Sequence, residues 1–416
     1  MAAPRAWTAW NFGLDVLDDR GSAPESVHDL VVPGLRRNPK RAHLLVSTVL
    51  GKHIPVAAKE VLAAGRRLAA QVSALDVGEV DVLGMAETAT SLGHCVADSL
   101  NAAVYLHTTR RPAMPQWVYA QFQEGHSHAT DHSLQPSSPA VFDAARPLVI
   151  VDDEISTGDT ALAAIAALQQ RQPRARYVVA SLVDMRTQAQ QHDAHEAAAA
   201  LGTRVEFVSL GRGRVVLPDG LTEQVCALQA PQLDDLQGRA GSVLHIVLPW
   251  PKYVPEGGRH GFLQRDRTGF ESASVTAQDH LARHLDHARP VLVVGHEELM
   301  YLPLRLADHL ADRGFQARFQ STTRSPAYVC QEDAYPLRRG WTFRACEHSD
   351  GAPRFLYNGW PAGPQGVQLV LVMDHLAATG DLHVADVLAD AGYDVIVAQV
   401  DTPDVATLAT AREGLS

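Results

Sequence analysis

The chain has 416 residues, 46% of them hydrophobic and 20% charged, with a formal net charge of −11. That length is ample for two domains with cores of their own, and the acidic balance argues against broad electrostatic binding to nucleic acid. No run approaches the roughly eighteen consecutive apolar residues of a membrane span. The start, MAAPRAWTAWNFG, lacks a basic region followed by an apolar core, so no secretory signal is expected. Cys95, Cys226, Cys330 and Cys346 show no C-x-x-C spacing and read as buried or free thiols of a cytoplasmic protein.

Residues before about 41 are punctuated by Pro and Gly and predict a cap on the first domain or a loose segment. Residues 44–50 read as a strand, followed by a GKHIP loop carrying Lys52 and His53, either a surface turn or a ligand contact. Residues 81–84 read as a strand that opens onto Met85, Ala86, Glu87, Thr88 and Ala89, small enough to let backbone approach a ligand closely. An amphipathic helix over 92–100 and a strand over 102–107 follow. Arg110 and Arg111 come directly after that strand, as a bidentate anion clamp or as ordinary surface. Residues 112–139 form a long polar segment in which His126, His128 and His132 could suggest zinc, although no matching Cys or His cluster occurs elsewhere.

The most informative run is LVIVDDEISTGDT, residues 148–160. Four apolar residues predict a buried parallel strand, and small residues then lead into an Ala-rich helix over 161–169. Ligands of open α/β sheets sit at the carboxyl ends of strands, where Asp152 and Asp153 fall. Backbone N–H groups of Ser156, Thr157, Gly158, Asp159 and Thr160 could cradle a phosphate, while the two aspartates grip vicinal hydroxyls. The plain alternative for the pair is a solvated strand end, and for Thr160 a helix-start residue. Strands over 177–183 and 204–210, a helix over 192–201 and a loop over 211–220 complete this half. The polar connector at 230–241 predicts a boundary dividing 1–235 from 236–416.

The second half repeats the first. LVMDHLAATGD at 371–381 echoes the opening run at an offset of about 222 residues. STTRSPA at 321–327 echoes HTTRRPA at 107–113, and residues 291–297 echo 81–87. PKYVP at 251–255 echoes GKHIP at 51–55, so that two of the four lysines coincide. Matched blocks in the same order point to a duplication in which Asp374 keeps the first acid and His375 replaces the second. Thr379, Gly380 and Asp381 retain a possible phosphate nest, with Arg324 nearby in the pattern.

Residues 148–160 resemble the 5-phosphoribosyl-1-pyrophosphate (PRPP) signature of type I phosphoribosyltransferases, departing from it at Glu154, where an apolar or small residue usually stands. With GKHIP and Thr323-Arg324-Ser325-Pro326, the chain is similar over nearly its whole length to a bacterial two-domain family. That family joins an orotate-phosphoribosyltransferase-like domain to a TRSP domain and is associated with tellurium-resistance and stress operons. The resemblance implies an α/β fold of two type I phosphoribosyltransferase-like domains, each with a mostly parallel sheet flanked by helices, the second divergent. It implies Mg²⁺-dependent transfer of phosphoribose from PRPP to an unidentified nucleobase-like acceptor.

In that scheme Asp152 and Asp153 hold the ribose hydroxyls and the metal. Glu154, Ile155 and residues 156–160 surround the 5′-phosphate. Ala86, Thr88, Ala89, Lys52, His53, Arg110 and Arg111 face PRPP, and Glu87 is a metal or ribose partner or else a helix-start acid. His126 or His128 on a closing hood would touch phosphate or donate a proton. Arg324, Asp374, Thr379, Gly380 and Asp381 would bind a phosphorylated ligand, or the second half packs as an intrachain pseudo-dimer; a homodimer is the other possibility. A nucleotide sensor or RNA-binding regulator on the same fold is the competing reading, and the intact aspartate pair and long hood favour the enzyme.

Overall fold

A computed structural model describes residues 6–19, 21, 23–111, 117–123, 131–233, 239–346, 352–374, 382–401, 403 and 405–412. His126, His128, Thr379, Gly380 and Asp381 lie outside them. In chain order the strands are β1 (Asp15–Asp18), β2 (Val31–Leu35), β3 (His43–Ser47), β4 (Asp81–Gly84), β5 (Val104–His107), β6 (Ala120–Gln123), β7 (Asp131–Leu134), β8 (Leu148–Ile155) and β9 (Arg176–Asp184). They continue as β10 (Arg204–Val216), β11 (Val243–Leu248), β12 (Phe262–Leu263), β13 (Val291–Gly295), β14 (Ala317–Ser321), β15 (Gly340–Arg344), β16 (Pro353–Tyr357), β17 (Gln368–Asp374) and β18 (Asp394–Val400).

Two sheets organise the molecule. The first has the order β1-β10-β9-β8-β4-β5-β12, with β10, β9, β8, β4 and β5 mutually parallel. Helices Ala58–Ser73, Ala89–Ser99 and Asp159–Arg171 bury apolar residues against it, which is why its central strands are apolar without alternation. The second sheet has the order β11-β18-β17-β13-β14 and is parallel throughout. Its order repeats that of β10-β9-β8-β4-β5, except that its edge strand β11 comes from chain before β13, whereas β10 follows β9. In both sheets the strand order reverses between two neighbours, β4 and β8 in the first and β13 and β17 in the second. Crevices outside the carboxyl ends of such strands hold ligands.

The halves share one apolar core. Leu92, Cys95 and Val96 of the first pack in the same cluster as Leu302, Leu306 and Leu310 of helix Tyr301–Asp312. The His94 ring stacks on Tyr301 at 3.6 Å between centroids. β12 crosses back to pair antiparallel with β5, and Arg412 of the last described helix donates to Ser137, His260 and Gly261. All four cysteines are free. Among the described residues no helix is long and apolar enough to cross a membrane.

Three local expectations are corrected. Residues 211–216 continue β10 instead of looping, because β1 supplies an antiparallel partner for Gly213 through Val216. β8 runs through the acid pair to Ile155, since its register with β9 continues from Asp152 opposite Ser181 to Ile155 opposite Asp184. Within the polar 112–139 segment, β6 and β7 form an antiparallel hairpin anchored by the Thr109–Ser133 bridge. The described residues before 41 cap the first domain, as β1 closes the sheet edge and β2 pairs with β3.

Candidate functional site

At the first switch point two loops face each other, residues 85–88 after β4 and 156–158 after β8. Gly158 adopts φ +98°, a left-handed turn that glycine makes cheaply, and caps helix Asp159–Arg171. The backbone N–H groups of Ser156, Thr157 and Gly158 have no hydrogen-bond partner among the described residues, while Asp159 N–H donates to Thr157 Oγ1 at 3.3 Å. Three open donors at a helix N-terminus form an anion cradle. Asp152 and Asp153 are half-buried beside it, and Asp153 N–H donates to Asp152 Oδ1 at 2.9 Å. Glu154, expected around the 5′-phosphate, is instead held by the β2–β3 hairpin: its carboxylate accepts from Arg41 Nη2 at 2.7 Å.

The opposite loop is compact. Ala86, Glu87, Thr88 and Ala89 are all buried, and Ala86 N–H donates to Thr108 Oγ1 at 2.8 Å. Lys52 Nζ donates to Thr88 Oγ1, which brings the GKHIP loop to this site. Thr108 Oγ1 also pairs with His132 Nδ1 at 2.9 Å, and an Arg110 guanidinium nitrogen lies 3.3 Å from His132 Nε2. The β6–β7 hairpin is thereby tied to the site through His132.

Four expectations are corrected by the partners these residues take. His53 is buried against Tyr357 of the second half and its carbonyl accepts from Asn358, so it does not face the cradle. Burial, with Lys52 beside it, pushes its imidazole well below the usual range. Arg111 crosses to the second half, where Nη1 pairs with Asp374 Oδ2 at 2.5 Å. Glu87 is likewise turned across, accepting from Thr323 Oγ1 at 3.1 Å and Arg324 N–H at 3.2 Å. Asp374 is buried between Arg111 and Arg259 and is not open to a ligand.

The second switch point is built to the same backbone plan. Glu297 N–H donates to Thr322 Oγ1 at 2.8 Å, as Ala86 N–H does to Thr108. Thr322 N–H donates to Gly295 O and Thr108 N–H to Gly84 O, both at 3.0 Å. β13 sets Gly295 opposite Val372, and β4 sets Gly84 opposite Val151. This register corrects two alignments drawn from sequence: Glu298, not Glu297, matches Glu87, and Asp374 matches Asp153, not Asp152. The TGD match had hidden a one-residue insertion between strand and turn.

Charge fills this second loop. Glu297 is fully buried between Arg324, at 2.5 Å, and Arg354. Burial opposes its ionisation, yet His296 and the two guanidiniums hold it far below the carboxylate range. Glu298 accepts from Thr109 Oγ1 at 2.6 Å and Arg110 N–H at 2.7 Å, with Arg259 at 3.6 Å. Glu298–Thr109–Arg110 and Glu87–Thr323–Arg324 are therefore reciprocal contacts, the pattern of a two-fold interface within one chain. Nothing in the sequence marks Glu298, Arg259, Arg354 or Thr108 as site residues, and His132 is expected only as a zinc candidate; only the internal repeat, read in strand register, points to Glu298.

Residues 30–214 match the family described as phosphoribosyl transferase, and residues 256–391 match the TRSP domain that lies C-terminal to that transferase. No curated protein matches the chain. Similar solved structures include adenine phosphoribosyltransferases. That of Giardia lamblia, with 9-deazaadenine, has 19% identity over 44% of this chain and 94% of its own, at a TM-score of 0.32. That of Rhodothermus marinus has 18% identity with the same coverage, at 0.31. That of Trypanosoma brucei, with AMP, pyrophosphate and ribose-5-phosphate, has 15% identity over 36% of this chain, at 0.27, and this chain spans only 64% of its length. The chain belongs to the family in which a phosphoribosyl transferase domain is followed by a TRSP domain.

Proposed function

We propose that the N-terminal half transfers 5-phosphoribose from PRPP to a nucleobase-like acceptor, releasing pyrophosphate. The observation that carries this reading is the set of open N–H groups at 156–158 beside Asp152 and Asp153, facing the 85–88 loop across the β4–β8 switch point. The cradle, with Thr160, holds the 5′-phosphate, and the two aspartates hold the ribose hydroxyls. Lys52, Thr88 and Arg110 face the pyrophosphate, whose growing negative charge is the main electrostatic task as the ribosyl centre becomes cationic. The β6–β7 hairpin shields that centre from water. Adjacent half-buried carboxylates suit Mg²⁺, which takes a few protein oxygens and shares the rest with phosphates and waters. Bound by Asp152 and Asp153, it would neutralise the leaving pyrophosphate.

The second half fits a divergent duplicate packed as an intrachain pseudo-dimer, supported by the repeated strand order and the reciprocal contacts. A phosphorylated ligand there is the weaker reading, because Arg111, Arg259, Arg324 and Arg354 are each paired with a buried carboxylate. Calorimetric titration with PRPP, with and without Mg²⁺, tests the transferase reading, followed by pyrophosphate release over a panel of bases. The wild type is expected to bind PRPP with Mg²⁺, and Asp152→Asn with Asp153→Asn to weaken it by about 100-fold. No binding, or binding unchanged in the double variant, sinks the proposal. Binding without pyrophosphate release from any base favours the nucleotide sensor.

A further inference from the structure

The segment 109–111 belongs to the N-terminal half by chain and is held by the C-terminal half. Thr109 is fully buried, and its hydroxyl and the Arg110 N–H both donate to the Glu298 carboxylate, at 2.6 and 2.7 Å. One residue on, Arg111 is clamped by Asp374. Arg110 lies between these two anchors, and its side chain turns back toward His132 on the β6–β7 hairpin. Hydrogen bonds to an ionised acceptor are about twice as strong as neutral ones, so this latch is stiff.

The mirror contact is looser and serves a different end. Glu87 receives Thr323 and the Arg324 N–H at 3.1 and 3.2 Å, but the Arg324 guanidinium is taken by Glu297 of its own half. In the first half Ala86 stands in the place of Glu297, so that position offers no carboxylate, and the neighbouring Glu87 is turned to Thr323 and Arg324. The same backbone latch therefore carries a guanidinium held by Glu297 in one half and a guanidinium turned to His132, itself bonded to Thr108 beside the 85–88 loop, in the other.

We propose that Glu298, on the C-terminal half, is a positioning residue for the transferase site. It fixes the Thr109–Arg110 backbone so that the Arg110 guanidinium meets the pyrophosphate of PRPP. This rests on the reading of the N-terminal half as a PRPP site. Burial opposes ionisation of Glu298, but Arg259 and Arg111 hold its carboxyl below the ordinary range, consistent with a charged acceptor. The TRSP domain would then complete the transferase by rigid support from behind one phosphate-facing residue.

Two ligands separate positioning from general damage: PRPP, and ribose 5-phosphate, which lacks the pyrophosphate. Both are titrated by calorimetry with Mg²⁺ into the full chain. Glu298→Ala is expected to weaken PRPP about 10-fold and leave ribose 5-phosphate within about twofold, while Glu298→Gln, which keeps an acceptor oxygen, recovers most of the loss. Equal weakening of both ligands, or unchanged PRPP affinity, overturns the inference. Should Glu298→Ala fail to fold, Thr109→Val removes one latch bond without burying a lone charge. It is expected to weaken PRPP alone by about threefold, and no change overturns the inference. A wild type that binds neither ligand overturns the transferase reading itself, and a wild type that binds both keeps the two questions apart.

Discussion

The loops after β4 and β13 occupy the same place in two sheets of the same order and are pinned by the same threonine bonds, yet they hold opposite contents. The first presents Ala86 and Thr88 with a lysine alongside, and turns its one acid, Glu87, across to Thr323 and Arg324. The second presents Glu297 and Glu298, packed with arginines. The two loops share a backbone plan and differ in chemistry. In the second loop Glu297 alone occupies two guanidiniums that a phosphate would otherwise need.

Removing that side chain is the most severe way to break the comparison. Glu297→Ala leaves Arg324 and Arg354 facing one another with their shared counter-ion gone, and breaking a buried pair in this way costs about 3–5 kcal/mol. Urea unfolding of the full chain should show the loss, and a change under about 1 kcal/mol would mean that the cluster is far more hydrated than its burial indicates. The converse swap, Ala86→Glu, places a carboxylate in the first loop beside Lys52. PRPP affinity should fall about 100-fold, because an internal anion competes for the same donors. Unchanged affinity would show that the 85–88 loop does not face the pyrophosphate.

Much of this architecture was legible in advance because it rests on local pattern. The apolar run at 148–151 can only be a buried strand, and Gly158 before Asp159 marks a turn into a helix. Internal repetition exposed the second half for the same reason. What sequence could not convey was direction across the chain. Nothing local distinguishes Arg110, whose guanidinium turns to His132, from Arg111, whose guanidinium pairs 263 positions away with Asp374. Glu87 looked like a site acid because its partners, Thr323 and Arg324, are equally distant in sequence. Glu154 broke the signature for a reason that only folding reveals, namely Arg41 arriving from the β2–β3 hairpin. The one-residue slip at Asp374 required strand register, which motif matching does not supply.

A smaller effect sharpens the contrast through pH. His296 stands where the first loop has Met85; it is fully buried, and neither ring nitrogen has a hydrogen-bond partner among the described residues. Burial lowers its pKa to about 4, so between about 6.5 and 4 the unfolded chain takes a proton that the folded chain refuses. Stability from this group is therefore present above 6.5 and lost as pH falls toward 4. His107, lowered to about 4, and His43 and His260, lowered to about 3, act with the same sign. Glu256, raised to about 7 by burial, acts oppositely, losing its contribution as pH rises through 7. The histidines outnumber it, so stability should fall on acidification from pH 7 to 5. His296→Met, which makes the second loop like the first, should flatten that slope by about 1 kcal/mol per pH unit. An unchanged slope in urea titrations at pH 5, 6 and 7 would show that His296 already titrates normally when folded.

The mildest test concerns the one residue by which the first site departs from its signature. Glu154 and Arg41 are 17% and 27% exposed in their side chains, so water screens the pair and its strength lies nearer a surface bridge than a buried one. Glu154→Gln should cost about 0.5–1 kcal/mol, with Arg41→Gln costing a similar amount and the double variant less than the sum. That non-additivity is the decisive reading. If the two losses simply add, the contact contributes nothing, and Glu154 must be explained by the metal or the ligand. If they overlap, the acid is there to hold the β2–β3 hairpin against the strand that carries Asp152 and Asp153. The first site then differs from its signature by a brace, while the second differs by a charge that fills its loop.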